Sequence, residues 1–314
     1  MKKILLLLFT LAFGTVTDID GNVYETVRIG NQLWMAENLK VTRYNNGDVI
    51  NSFSNITYPQ VSPNEDWENL VTGTYHSYNN DYGHIYNGYT VQDDRGVCPE
   101  GWHVPSDQDF IELEVYLGMS LEDAQLTDFR GSNQGSKLSG SSNLWTAGAL
   151  TADSEFSSTE FNAIPEGYIQ GDGIAVLSNR SSFWTSSNEI VDGVNTIYER
   201  IINNNFTSIY RANSPLNWAF SIRCIADEII EGCMDPNATN YDETANINTG
   251  CLYLGDVNGD LTVDIADVVT LVAYVVQNEA NYNLETIQTT GEINNDGIIN
   301  VIDVVLLVNI IVNQ

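Results

Sequence analysis

Two stretches of this chain carry oxygen-bearing side chains at the same spacing, and that repetition limits the folds open to its C-terminal part more than any other feature. In GDVNGDLTVDIADVV, residues 255–269, Asp256, Asn258, Asp260, Asp264 and Asp267 fall at positions 1, 3, 5, 9 and 12 of a twelve-residue loop, with the Thr262 carbonyl at position 7. That is the ligand order of an EF-hand calcium loop, in which about six to eight hard oxygens wrap one ion. The apolar run from Val268 to Val276 predicts a helix directly after the loop. The pattern returns at Glu292, Asn294, Asp296, Ile298 (through its carbonyl), Asn300 and Asp303, each 36 residues beyond its counterpart. A duplicated loop-and-helix unit marks a repeat architecture, where a single turn rich in Asp and Asn would mark only a bend before a core helix.

Residues 255–314 resemble a type I dockerin, a small all-α module of two calcium-loop and helix repeats that plugs a secreted protein into a cohesin. Asp267 and Asp303 at position 12 carry that resemblance, because ordinary EF-hands have Glu there. The sequence departs from the pattern at Leu261, which stands where a turn-forming Gly is usual, and at Glu292, which replaces the first Asp; Gly297 keeps the turn in the second loop. The resemblance implies calcium as the bound ion and a cohesin-like or other cell-surface protein as the partner. Positions 10 and 11, which carry partner recognition in many dockerins, are Ile265 with Ala266 and Val301 with Ile302, in place of a Ser/Thr pair.

Charge narrows the remaining partners. At a formal net charge of -30, with 12 Lys plus Arg against 42 Asp plus Glu, the surface repels phosphate backbones and anionic headgroups. Nucleic acid and peripheral membrane binding are therefore not expected. The start of the chain, MKKILLLLFTLAFG (residues 1–14), places Lys2 and Lys3 before an apolar run from Ile4 to Phe13 and small residues at Ala12 and Gly14, which reads as a signal peptide. That run is too short to span a bilayer comfortably, and no later stretch supplies about 20 unbroken apolar residues. A secreted or cell-surface protein, not inserted in the membrane after cleavage, is the expectation.

In an exported chain the four cysteines, Cys98, Cys224, Cys233 and Cys251, favour two disulfides over a zinc site, since no CxxC occurs. Three connectivities are open, and the positions suggest Cys98 with Cys224 and Cys233 with Cys251. The second pair would bracket GCMDPNATNYDETANINTGC, an Asn/Asp-rich stretch within a spacer at 228–254 that is too small for a core of its own. It resembles short Cys-bracketed spacers of large secreted bacterial proteins. Closing a loop of this length stabilises by roughly 3 kcal/mol. Asp235, Asn237 and Asp242 offer oxygens there, although a compact linker explains them as well.

Between signal and spacer, Asp20-Gly21-Asn22 and Gly30-Asn31 punctuate β-rich runs as hairpin turns, and Trp34 and Met35 read as core anchors. After Pro105, Ser106 as N-cap, Asp109 three residues on, and Phe110, Leu113 and Leu117 at helical spacing predict a helix over about 107–117. The words TDIDGNVYETVRIGNQLWMAENL, YGHIYNGYTV, GVCPEGWHVPSDQDF, GSKLSG, EFNAIPEGYI, SFWTSSNE and AFSIRCIAD resemble the Fibrobacter succinogenes major paralogous domain over most of residues 15–227. Gly88 stands where many relatives carry Trp, and Ala219 where Gly is common. The resemblance implies an α+β domain of C-type-lectin-like, formylglycine-generating-enzyme-like fold.

Catalytic machinery is not legible. A formylglycine-generating oxidase uses two nearby late cysteines for copper, where this region has Cys224 alone; no GxSxG nucleophile elbow occurs. His103, beside Trp102 at a helix start, reads as a framework histidine. With 42 acids, some carboxylate pair of glycosidase type is inevitable and carries no information. Trp145, Trp184 and Trp218 are the candidates to floor a glycan groove, though a lone Trp in a strand-rich domain is more often core. The expected function is an exported, non-catalytic, lectin-like binding protein tethered by a calcium-dependent dockerin. The rival readings are an accessory or hydrolytic component of a polysaccharide-degrading assembly, and a structural surface protein without a small ligand.

Overall fold

The computed structural model describes residues 14–54, 63–77, 82–176, 179–277 and 283–313. The signal-peptide reading rests on residues 1–14, all but the last of which lie outside those described. The chain divides between Ile229 and Ile230 into two compact units. Spacer and repeat pair fall together in the second.

In the first unit, alternating sequence and tight turns build antiparallel pairs. Val23–Ile29 pairs with Gln32–Met35 across the two-residue turn Gly30-Asn31, where Gly30 has φ 64°. Asp192-Gly193, with φ 52° and 80°, joins the long strands Arg180–Val191 and Val194–Asn203, the left-handed geometry that Asp-Gly favours in such hairpins. Two sheets result. The smaller has the order Thr15–Thr17, Val23–Ile29, Gln32–Met35, Ile225–Ala226, Trp102–His103, all antiparallel. The larger is centred on Ala219–Ser221, Arg180–Val191, Val194–Asn203 and Ile209–Pro215, and its Ala219–Ser221 and Arg180–Val191 strands run parallel. This is an α+β architecture rich in sheet.

The helix predicted over about 107–117 is present as Asp107–Tyr116. Its capping box is closed on both sides: Asp109 N donates to Ser106 Oγ at 3.2 Å and Ser106 N donates to Asp109 Oδ2 at 2.7 Å. Phe110 and Leu113 of that helix meet Val27, Trp34 and Ile225 of the smaller sheet and Phe183, Ile202 and Ile209 of the larger one in a single core. Trp34 and Met35 are fully buried, as anchors should be. Gly88 sits so close to Leu216 that an added Cβ would lie 2.8 Å from its Cα, so the Trp common at this position would not fit the present packing.

Cys98 and Cys224, 126 positions apart in sequence, form one disulfide, and Cys233 and Cys251 form the other. The pairing is the one expected from their positions. Among the described residues no helix is long and apolar enough to cross a membrane.

Buried charge holds the first unit together where the apolar pattern gives no warning of it. Glu114, on the inner face of the helix, is fully buried and accepts from Arg130 Nη2 at 2.8 and 2.6 Å and from Arg200 Nε at 2.7 Å. Asp107, at the start of the same helix, pairs with Arg200 and Arg211, each at 2.7 Å. One helix is thereby bonded to three strands of the larger sheet.

A second buried carboxyl sets a pH dependence. Glu166 is 3% exposed and accepts from Ser221 Oγ at 2.6 Å, while burial pushes its pKa up from 4.5 to about 7. A carboxyl whose folded pKa lies above its unfolded value binds a proton more readily when folded. Its contribution to stability is thus complete below the unfolded value near 4.5 and is lost as pH rises through about 7. Glu166→Gln removes that titration. Between pH 4.5 and 8, urea unfolding should show wild type losing on the order of 3 kcal/mol relative to the variant. Parallel pH profiles for the two proteins would disprove it.

Candidate functional site

The second unit is built around its two acidic loops. Chain reversal in the first requires positive φ at Gly259 (76°) and Leu261 (68°), and in the second at Asn295 (57°) and Gly297 (82°). Leu261 therefore occupies the conformation for which Gly is usual, at a cost on the order of 1 kcal/mol. Within this frame the carboxylates turn inward onto backbone N–H groups. Asp256 accepts from Gly259 N and Leu261 N at 2.9 and 3.0 Å, and Asp267 accepts from Asn258 N and Asp264 N at 2.9 and 2.8 Å.

The second loop repeats much of the arrangement, most fully at positions 3, 5 and 9, while at position 1 Glu292 takes up only the counterpart of the Asp260 bond among the three that Asp256 accepts. Asp303 accepts from Asn294 N at 3.3 Å and Asn300 N at 2.9 Å, the counterparts of Asn258 N and Asp264 N, and also from Ile293 N at 2.9 Å; Glu292 Oε1 accepts from Asp296 N at 2.9 Å, as Asp256 Oδ1 does from Asp260 N at 3.1 Å. Asn258 Oδ1 and Asn294 Oδ1 accept from Asp260 N and Asp296 N at 2.8 and 3.0 Å. Asp260 and Asp296 accept from Thr262 N and Ile298 N, each at 2.9 Å; Asp264 and Asn300 accept from Ala266 N and Ile302 N at 2.7 and 2.8 Å. All twelve residues singled out by spacing lie in these two loops. Asp256, Asp267 and Asp303 are buried, whereas Asp260 and Asp296 are exposed.

The loops feed the helices Ile265–Gln277 and Val301–Val312. Leu271 and Leu307 from them join Val257, Val268 and Ile287 in a small core, with Ile287 supplied by the intervening helix Leu284–Thr290. Thr290 Oγ1 donates to the Asp256 carbonyl at 2.8 Å, tying that helix to the first loop. Ile265, Val301 and Ile302 are left 66%, 64% and 52% exposed, with Ala266 exposed beside them.

The donor set fits calcium by its chemistry: hard carboxylate, amide and carbonyl oxygens, without a thiolate or imidazole. From Ile230 to Gln314 the sequence holds no Lys, Arg or His, so the three buried carboxylates have no side-chain cation within that stretch. Among the described residues, no group of three or more His, Cys, Asp or Glu side chains is drawn together as a metal cluster. A complete oxygen set thus also requires the Asn side chains and the backbone carbonyls at positions 7.

The spacer oxygens are engaged locally. Asp235 accepts from Asn237 N at 2.9 Å and from Tyr253 Oη at 2.7 Å, and Asp242 accepts from Thr244 N and Oγ1. In the first unit the three tryptophans do not make a common floor. Trp184 is fully buried with Nε1 donating to the Tyr86 carbonyl, and Trp145 is buried with Nε1 donating to the Gly140 carbonyl. Only Trp218 is half-buried, its ring parallel to Tyr168 at 6.1 Å. The reason is local: both buried indoles find backbone acceptors inside, so nothing draws them to the surface. His103 is held between Asp227, 2.5 Å from Nδ1, and Asp109, 3.5 Å from Nε2. These carboxylates, Asp109 foremost, raise its pKa. Both ring nitrogens are engaged, as in a framework histidine.

Sequence reasoning missed Glu114 and Glu166. Glu114 lies between Leu113 and Leu117 on the helix and carries no signal of its own; only the unused basic strand positions Arg130 and Arg200 hint that an acid must meet them.

Fold and loops define a class: a disulfide-stapled, sheet-rich α+β domain followed by a wholly acidic helical repeat pair. The family is shown by the first part. The model of the Fibrobacter succinogenes major domain matches residues 27–226, and the chain belongs to that family. No curated protein and no solved structure matches the chain.

Proposed function

We propose that this is an exported, non-catalytic binding protein, in which a lectin-like major domain recognises a glycan and a calcium-ordered, dockerin-like repeat pair docks the chain onto a cell-surface or cohesin-like protein. The observation that carries the reading is the repetition of loop hydrogen bonds at positions 3, 5, 9 and 12, with Asp267 accepting from Asn258 N and Asp264 N as Asp303 does from Asn294 N and Asn300 N, in a stretch from Ile230 to Gln314 without basic residues. Calcium bound by each loop would neutralise the inward carboxylates and hold the two helices at a fixed angle. The exposed pairs Ile265 with Ala266 and Val301 with Ile302 begin those helices at equivalent places, which suits a partner that reads an apolar patch.

The test is affinity capture of partners from the surface fraction of the source cells, using the full chain in calcium and in EGTA, beside Ile265→Asp and Val301→Asp. A single protein retained only in calcium, and lost with both substitutions, is expected. Equal capture in EGTA, or capture indifferent to both substitutions, would overturn the docking role.

A further inference from the structure

Two adjoining cavities open on the first unit. One, of about 570 Å³, has Asp20, Asn22, Lys40, Phe53, Tyr75 and His84 in its walls. The other, of about 280 Å³, has Glu25, Glu37, Asn38, Lys40, Asn162 and Arg223. Lys40 belongs to both, and segments 36–42 and 82–84 run along both, so the two form one groove. Its combined size is in the range of small-ligand sites.

The chemistry of the walls discriminates among guests. At one end Tyr75 and Phe53 are half-buried, with Tyr75 stacked on His84 at 4.8 Å and Phe53 braced edge-on against Trp67 at 5.2 Å. Burial lowers the His84 pKa, which keeps that ring neutral near pH 7. Rigid ring faces of this kind accept the C–H face of a sugar. At the other end Arg223 is 1% exposed. Its Nη atoms donate to uncharged oxygens, of Phe161, Asn162 and Asn38, and its Nε has no hydrogen-bond partner among the described residues. That Nε is itself shut off from solvent, so Arg223 serves the groove as a fixed buried cation behind its wall.

Charge decides the rest. Asp20 lines the first cavity and Glu25 and Glu37 the second, with Lys40 in both and Arg223 in the second. An acidic polysaccharide would meet three carboxylates inside a field of net charge -30, and a cationic guest would meet Lys40 and Arg223. A hydrocarbon would strand the polar walls without partners. A hydroxyl both donates and accepts, so a neutral polyol satisfies both kinds of wall.

Resting on the glycan-binding reading above, we propose that this groove takes a neutral oligosaccharide, with Tyr75 and Phe53 against one sugar ring and the half-buried Lys40, which borders both cavities, donating to hydroxyls of the next. The test is calorimetric titration of the full chain with cellopentaose, xylopentaose and mannopentaose, beside pentagalacturonate. At least one neutral pentasaccharide should bind, and pentagalacturonate should bind more weakly. Tyr75→Ala should weaken the neutral ligand about tenfold. Lys40→Gln, at a half-buried position less prone to upset folding, should do the same without moving the unfolding midpoint. Tighter binding of pentagalacturonate, or neutral binding untouched by both substitutions, would overturn the proposal while leaving glycan recognition standing. Failure of every pentasaccharide to bind would overturn both.

Discussion

Chelation of calcium should melt the helices Ile265–Gln277 and Val301–Val312 while leaving the sheet-rich unit folded. The first loop crowds Asp256, Asp260, Asp264 and Asp267, the second Glu292, Asp296 and Asp303, and no Lys, Arg or His occurs from Ile230 onward to offset them. The core they would have to hold together is small, centred on Val257, Val268, Leu271, Ile287 and Leu307. Ion binding is then linked directly to folding, and most of the stability of this unit should come from it. Circular dichroism of the full chain titrated with calcium is the measurement, and helicity should rise cooperatively in the micromolar to millimolar span of sensor and extracellular loops. Asp267→Ala and Asp303→Ala each remove the buried position-12 carboxylate and should weaken the response. Leu261→Gly should strengthen it, because Leu261 holds φ 68° at a cost on the order of 1 kcal/mol. Helicity that is the same in calcium and in EGTA would sink the calcium reading.

Glu114→Ala should destabilise the first unit by about 3–5 kcal/mol, which for a domain of this size is on the order of a 10 °C fall in melting temperature. The size follows from what the substitution leaves behind. Arg130 is 5% exposed and Arg200 fully buried, and both lose the carboxylate that they share. Arg200 retains Asp107, but Arg130 keeps only the carbonyls of Ala124 and Ile209. Burial already pulls the Arg130 pKa down to about 10, and without Glu114 the charged form is harder still to keep inside. Urea unfolding of variant and wild type at one calcium concentration measures the effect. A loss under about 1 kcal/mol would mean that the cluster is solvated in a way its burial denies.

Local rules were enough for the features that repeat or cap. Two loops with the same oxygen spacing, a helix announced by Ser106 and Asp109, the Gly30-Asn31 turn and the disulfide pairing are set by short-range geometry or by position along the chain. They needed no knowledge of neighbours. The left-handed conformation at Leu261 follows from its place in the loop alone, since position 6 must reverse the chain whatever residue stands there. Tertiary structure decided the rest, because burial depends on what arrives from elsewhere in the chain. It sent Trp184 inside, where the Tyr86 carbonyl 98 residues away accepts its N–H, and placed Glu114 among arginines from strands 16 and 86 residues away. It also gathered Lys40, Tyr75 and Arg223 around one groove. Residues this far apart acquire a common chemistry only when the sheets close, and no spacing within the sequence records it.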